Sequence, residues 1–415
     1  MLGLSLGLAA IIFGLTIRRS ALGASALVMV LPAYLLRTEI VGIPTTALEL
    51  SIFVAAAGVL VSLWRKRLPW HWVRMTKTTW WLLGAWVVAW VVATALADDR
   101  QAALGALKAW LIDPLIFVGI LAVTISTARD RHLLLSAALL SGFHVAVAGL
   151  VQFVAFRETL QEGRLSSYFA PVANYAAMYL APLVILQAGL LLHGERRGKF
   201  WWSLFGVTTL ATIGTFSFAG FLSLAVGGIV LWWKLPTGRL KKNLLMTGAI
   251  VGVLGVLVLT QTKNFNQHFN FSDRSSGSVR QQIWVTSWAL VKKNPIVGIG
   301  PNNFEAAYRT ELPHHYFPPL EWLVAQPHNL ALALWLETGL LGLLAFTGLF
   351  LYHLVIVWRK FLPEPQERAV AIASLAALIA IIVHGLFDTP YFKNDLAPLF
   401  LLIAILPWLG QEKTL

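Results

Sequence analysis

Cysteine is absent from all 415 residues, which excludes disulfides, thiolate metal sites and a cysteine nucleophile while leaving the compartment open. Charge is scarce as well: only 12% of residues carry it, too few to clothe a water-soluble chain of this size. There is no Walker-type glycine loop and no His-Glu-x-x-His, and the Gly-x-Ser-x-Gly pattern occurs only as Gly3-Leu4-Ser5-Leu6-Gly7, inside an apolar run rather than at a strand-to-helix elbow. Cytoplasmic nucleotide use, serine esterase chemistry and zincin chemistry are therefore not expected. An Asp-x-Asp pair, the usual handle for a divalent ion, is also missing. Asp98-Asp99 is adjacent rather than alternate and runs into Arg100, as in a solvated turn. No metal and no cofactor is expected, and neither an internal repeat nor a low-complexity tract is present.

What is present is hydrophobicity in blocks. Apolar residues make up 58% of the chain and fall in runs of about 16 to 29 residues, the pattern of a polytopic, all-α membrane protein. The first run, Leu2 to Ile17, has no basic residue before it and another apolar run directly after it, unlike a signal peptide.

The net charge of +13 does not call for nucleic acid, because the cations sit in short clusters between apolar runs. Arg18-Arg19, Arg65-Lys66-Arg67 with Arg74 and Lys77, Arg129 with Arg131, Arg196-Arg197 with Lys199, Lys234 to Lys242, and Arg359-Lys360 with Arg368 mark the cytoplasmic side. Both flanks of Trp201 to Trp233 are basic, so that stretch must cross twice, with an external turn near Ser217. Further spans are expected near 20–36, 45–64, 79–97, 101–125, 133–156, 169–192, 244–260, 330–358, 369–387 and 396–409. With the hairpin this makes about 12 helices, or 13 if residues 2–17 also cross.

Three parts follow: transmembrane helices over 1–260, a periplasmic loop domain over 261–327, and C-terminal transmembrane helices over 328–415. In the loop domain, Val279 to Lys293 places Ile283, Trp284, Ser287, Trp288, Leu290 and Val291 on one stripe, with Gln281-Gln282 largely elsewhere, as in a helix lying in the interface plane. Gly298 to Asn303 has the composition of a tight turn. This topology leaves Arg157, Arg164, Arg274, Arg280, Lys292, Lys293 and Arg309 outside, against the usual bias. Arginine offers a fixed fork of donors that matches phosphate oxygens, which suits a pyrophosphate held at the membrane surface. Snorkelling, or pairing with Glu158, Glu162, Asp273 or Glu305, is the structural alternative.

His328-Asn329 opens the run Leu330 to Trp358. The positive end of a helix disfavours imidazolium, so a histidine there is suited to act as a general base toward a hydroxyl; as a bare feature it equally fits a surface cap. His314 and His315 lie among prolines in a loop, whereas His144, His353 and His384 fall in or at the ends of spans as packing residues.

The spacing of these residues resembles the O-antigen ligase and polymerase superfamily. Arg280, Trp284 and Pro295-Ile296-Val297-Gly298-Ile299-Gly300-Pro301-Asn302-Asn303-Phe304 are similar to its first block, and His328-Asn329 followed by Glu337-Thr338-Gly339 and Gly342 to its second. Arg164 to Asn174 is similar to an upstream Arg, Phe, Pro-Asn stretch, although Pro171 and Asn174 are not adjacent; Phe218 also stands where an arginine is common. The resemblance covers roughly residues 160–345. It implies an O-antigen ligase of GT-C type in the bacterial inner membrane, with its site facing the periplasm. Glycan would pass from an undecaprenyl pyrophosphate carrier to the lipid A core by a metal-independent, inverting step. Carried over by position, Arg164 and Arg280 would hold the diphosphate and His328 would activate the acceptor hydroxyl. Asn329, Asn174, Arg274, Trp284 and Asn303 would line the substrate, and Asp388 would orient the site. Polymerases and protein oligosaccharyltransferases share the fold; the protein-modifying members tend to carry a further C-terminal region, which the end at Leu415 disfavours. A transporter, with Glu49, Lys108, Asp113 and Glu337 along an ion path, is the reading from another class.

Overall fold

The computed structural model describes residues 1–40, 42–68, 75–156, 158, 160, 163–193, 198–234, 275–362, 364–365 and 367–411. The expected span 244–260, Arg157, Arg274 and the clusters at Arg196-Arg197 and Lys241-Lys242 lie outside the described residues. The architecture is overwhelmingly helical, with α1 (Leu2–Arg18), α2 (Ser20–Met29), α3 (Ala47–Trp64), α4 (Lys77–Leu96), α5 (Arg100–Leu107), α6 (Asp113–Thr124), α7 (Ala128–Ala155) and α8 (Ala173–Leu192) in the first half. After them come α9 (Lys199–Gly214), α10 (Phe218–Lys234), α11 (Ser276–Lys293), α12 (Phe304–Glu311), α13 (Leu330–Lys360), α14 (Arg368–His384) and α15 (Leu396–Ile405). Among the described residues, six segments are long and apolar enough to cross a membrane: α3, α4, residues Arg100–Thr124, α7, α8 and α13. α1, α2, α10, α14 and Leu396–Trp408 are shorter apolar helices. The chain is a multi-pass membrane protein.

Several expected spans are built differently from a single straight helix. Residues 20–36 rise as α2 and then a 3-10 turn over Leu31–Leu35, because Pro32 lacks the amide that would continue the helix. The stretch 101–125 is α5 and α6 joined by a π-helical turn over Lys108–Ile112. β1 (Arg37–Ile40) and β2 (Ile43–Thr46) pair as an antiparallel hairpin, the one departure from an all-α chain among the described residues. It hands over to α3 through a capping box in which Thr46 and Glu49 satisfy each other's backbone amides. The hairpin inferred from the two basic flanks is α9 and α10, turning at Thr215–Ser217.

α8 is the central element, with 89% of its apolar window buried among α7, α9, α10 and α14. α13 lies at the rim against α4, with 22% buried. Contacts between helix ends separate two faces. On one, Arg19 pairs with Asp130 at 2.9 Å, Arg131 with Glu367, and the Lys234 amine sits over the Trp358 ring. This basic face gathers the ends of α1, α10 and α13 and the start of α7. The opposite face holds the β-hairpin, the turn 215–217, α11, α12, the start of α13 and the end of α14.

α11 divides the expected stripe: Ile283, Ser287, Leu290 and Val291 are buried, whereas Trp288 is exposed. Its buried face is Gln282, Ile283, Thr286, Ser287 and Leu290, and it closes a small second core with Phe304, Tyr308, Leu312, Val324 and Leu336. Gln282, expected elsewhere, is fully buried. Its amide donates to Tyr308 Oη at 2.7 Å and to Glu321 O at 2.9 Å, and its carbonyl accepts from Leu320 N. Every polar atom of that side chain is used, which is what makes its burial tolerable.

Candidate active site

The two glycine-containing motifs fit into one another. α13 is broken at Gly339, where φ is +71° and ψ −177°, so the carbonyls and amides around the break have no helical partners. The turn after α11 supplies them: Ile299 N donates to Leu336 O at 2.7 Å, Leu340 N to Ile296 O at 3.0 Å, and Asn302 N to the Glu337 carboxylate. The approach leaves no room for side chains. A Cβ on Gly339 would lie 2.2 Å from Ile296 O, and one on Gly298 would lie 2.3 Å from Leu336 O. Gly298 and Gly339 are thus two halves of one joint.

This joint positions the start of α13. Asn329 is its N-cap: the side-chain oxygen accepts from Leu332 N, and the amide donates to Leu386 O at 3.1 Å. Leu330 N donates to Gly385 O at 2.7 Å, so the end of α14 lies directly against the cap. His328 precedes the cap with φ +48°, a left-handed conformation that histidine adopts more readily than most residues. Trp284 Nε1 holds its carbonyl at 3.3 Å, and its Nδ1 faces Asp388 Oδ1 at 3.2 Å.

Asp388 is the electrostatic centre. Burial alone would raise its pKa, but His328, His384 and the Arg280 guanidinium hold it well below the ordinary carboxylate range. Arg280 stands on α11, whose start is fixed by a Ser275–Ser278 capping box. Its Nη1 donates to Ser276 Oγ at 2.6 Å and its Nε to Phe387 O at 3.3 Å. Burial lowers its pKa, Asp388 raises it and Arg164 lowers it, which places both guanidinium groups in one field. Arg164 arrives from the strap before α8, pinned by Leu165 N to Gly214 O, and donates to Thr215 O at 2.9 Å and to Asn174 Oδ1 at 2.6 Å. Phe387 forms a wall with Phe218 and Trp284, its ring centroid 5.6 and 6.5 Å from theirs.

The structure thus brings together Arg164, Asn174, Arg280, Trp284, His328, Asn329 and Asp388. Asn303 takes another place: its carbonyl accepts from Asp99 N at 2.9 Å and its amide donates to Asp99 O and Pro301 O, tying the α4–α5 junction to the glycine-containing turn. Lys293 is engaged by Glu311, a carboxylate that burial raises but that Lys293 and His315 hold below its ordinary range. Glu337, assigned to a transport path in the alternative reading, serves the joint, while Glu49 pairs with Lys108 at 3.2 Å on other helices. His384, expected as a packing residue, is one that the expected site left out. It is buried beside Asp388 and Arg280 with no hydrogen-bond partner for either ring nitrogen among the described residues, and only its place one helical turn before Asp388 could have signalled it.

Residues 203–347 match a family model for O-antigen ligase, a stretch that contains Arg280, Trp284 and the whole joint from Gly298 to Gly342. This stretch is similar to the O-antigen ligase family. The O-antigen ligase of Salmonella typhimurium is 28% identical over 146 residues, a match that spans 33% of this chain and 35% of that protein. The family segment ends before Asp388 and begins after Arg164 and Asn174, so these three join the site through the fold rather than through the matched stretch.

Proposed function

We propose that the protein transfers glycan from an undecaprenyl pyrophosphate carrier to the core oligosaccharide of lipid A, at the periplasmic face of the bacterial inner membrane. The observation that carries this reading is the His328–Asp388 pair standing in the same electrostatic neighbourhood as Arg280 and Arg164. Two guanidinium groups against one carboxylate leave a net positive site, matched to a departing diphosphate. His328 takes the proton from the acceptor hydroxyl as that oxygen attacks the anomeric carbon, and Asp388 stabilises the imidazolium that forms. The sugar–phosphate bond breaks in the same step, the diphosphate leaves on the arginines, and the configuration inverts. The arginines supply the charge stabilisation that a divalent ion gives in other transferases, so the step is metal-independent. The scaffold is of GT-C type with about 12 spans, divided at 260 and 327, the middle part being periplasmic.

Reconstitution in proteoliposomes with a polyprenyl-pyrophosphate glycan and three separate acceptors tests the assignment. Core lipid A should be modified. Modification of only a second lipid-linked glycan, or of only a pilin-like protein, would replace ligation by polymerisation or protein glycosylation.

A further inference from the structure

A cavity of about 250 Å³ lies far from the candidate active site, among α4, α6, α13, α14 and α15 in the half of the bundle toward the basic face. Its inner end is closed by Trp86, Phe346 and Phe400, with the Phe346 centroid 5.5 Å from each of the other two. Its outer end carries Thr76 and Tyr352, whose hydroxyls meet at 3.0 Å, and Lys360. Along α4 the ten residues from Thr76 to Trp86 measure ~15 Å, half of the ~30 Å hydrocarbon layer. The slot is therefore one leaflet deep. Side chains on a helix lean toward its N-terminus, so Lys360, at the end of α13, reaches back over the mouth.

A largely apolar shaft of single-leaflet depth, with His353 as a polar residue in its lining, under a cation and two hydroxyls has the form of a phospholipid site. We infer that one acyl chain of an anionic glycerophospholipid from the basic-face leaflet occupies this cavity, with its phosphate at Lys360 and its glycerol region level with Thr76 and Tyr352. Charge complementarity selects the anionic headgroup, since Arg359 adjoins Lys360 and Lys77 follows Thr76. The lipid wedges the free half of α13 against α4 and α15, and so supports the helix whose other end carries His328. It is a resident ligand rather than part of the exchanging lipid annulus. The inference requires only that the bundle crosses the membrane and is independent of the sugar chemistry.

Native mass spectrometry of the whole protein after exhaustive detergent washing tests this. One diacyl phosphatidylglycerol or cardiolipin per chain should survive, and Ala404→Phe and Leu401→Trp, which fill the shaft, should each lower its occupancy about tenfold. Lys360→Gln should keep a lipid but lose the preference for the anionic headgroup. In parallel, phosphatidylglycerol added to washed wild-type protein should raise the melting temperature saturably, whereas phosphatidylethanolamine or undecaprenyl phosphate at equal concentration should not. A wild-type protein without retained lipid and without such a rise overturns the proposal, as does a filled variant that folds and keeps full occupancy. A rise with undecaprenyl phosphate alone would give the cavity to the glycan carrier instead.

Discussion

The two ends of α13 are one helix under opposite rules. From Leu330 to Gly339 seven of the ten residues are buried, the backbone is broken, and the Leu336 carbonyl serves a neighbouring turn. From Leu340 to Lys360 the helix is regular, and Leu341, Leu344, Leu351 and Val355 are exposed on its surface. The first half spends backbone hydrogen bonds on placing a side chain, while the second needs only to match its surroundings. Geometry matters where polar groups must meet within a few tenths of an ångström; composition suffices where contacts are apolar and non-directional.

The sharpest contrast should be in turnover. His328→Ala is expected to lower it by ~10²–10⁴ while leaving donor binding intact, since the arginines remain; parallel loss of donor binding would make His328 a diphosphate ligand. In the wild-type protein the rate should fall on the acid side, because a protonated imidazole cannot take the hydroxyl proton. Arg280→Ala should cost about 10²–10³, and Arg280→Lys should fail too, since a point charge cannot replace the fork. Activity in EDTA should be unchanged, and full activity in Arg280→Lys would remove the leaving-group role.

Stability should split in the same direction. Gly339→Ala combines a positive φ with a Cβ 2.2 Å from a carbonyl and should destabilise by about 3 kcal/mol in a denaturant titration, whereas Leu351→Ala on the other half should stay within about 0.5 kcal/mol. Equal effects would dissolve the distinction between the halves. Asp388 gives a pH signature. Its folded pKa is depressed, so its contribution is complete above the unfolded value of about 3.9 and fades as pH falls through the folded value. The wild-type protein should be more stable than Asp388→Asn by about 1–3 kcal/mol near neutral pH, and the two should converge only in strong acid, where the carboxylate itself is protonated. The smallest effect is a labelling pattern. Phe216→Cys, at the exposed hairpin turn, should react with an impermeant maleimide added to intact spheroplasts, whereas Arg67→Cys should react only after the membrane is opened; labelling of both in intact spheroplasts would undo the two-faced topology.

The sequence was legible where a pattern is local. Basic clusters bracketed the α9–α10 hairpin, and the spacing of His328, Gly339 and Gly342 pointed to the site that the fold assembles. Illegible features depended on contacts across the chain. Gln282 looks like a surface residue until Tyr308, Leu320 and Glu321 fold around it, and Asn303 looks like a ligand until Asp99 takes both ends of its amide. Gly298 and Gly339 announced turns, but nothing in their spacing of forty-one residues said that each needs the other.

The joint at Gly339 makes chain length matter differently on the two sides of His328. The segment from Asn303 to Pro327 leaves α13 beside Leu336 and returns to it at Asn329, so it is a handle with both ends on the same rod. Adding residues at its exposed bend, where Phe317 is 86% accessible, lengthens the handle at a closure cost of only ~0.6 kcal/mol per doubling. One residue added between Leu330 and Leu336 instead turns the docked carbonyl by about 100° around the helix axis, away from Ile299. Variation in this protein's size is therefore admissible in the handle and inadmissible in the first two turns of the rod.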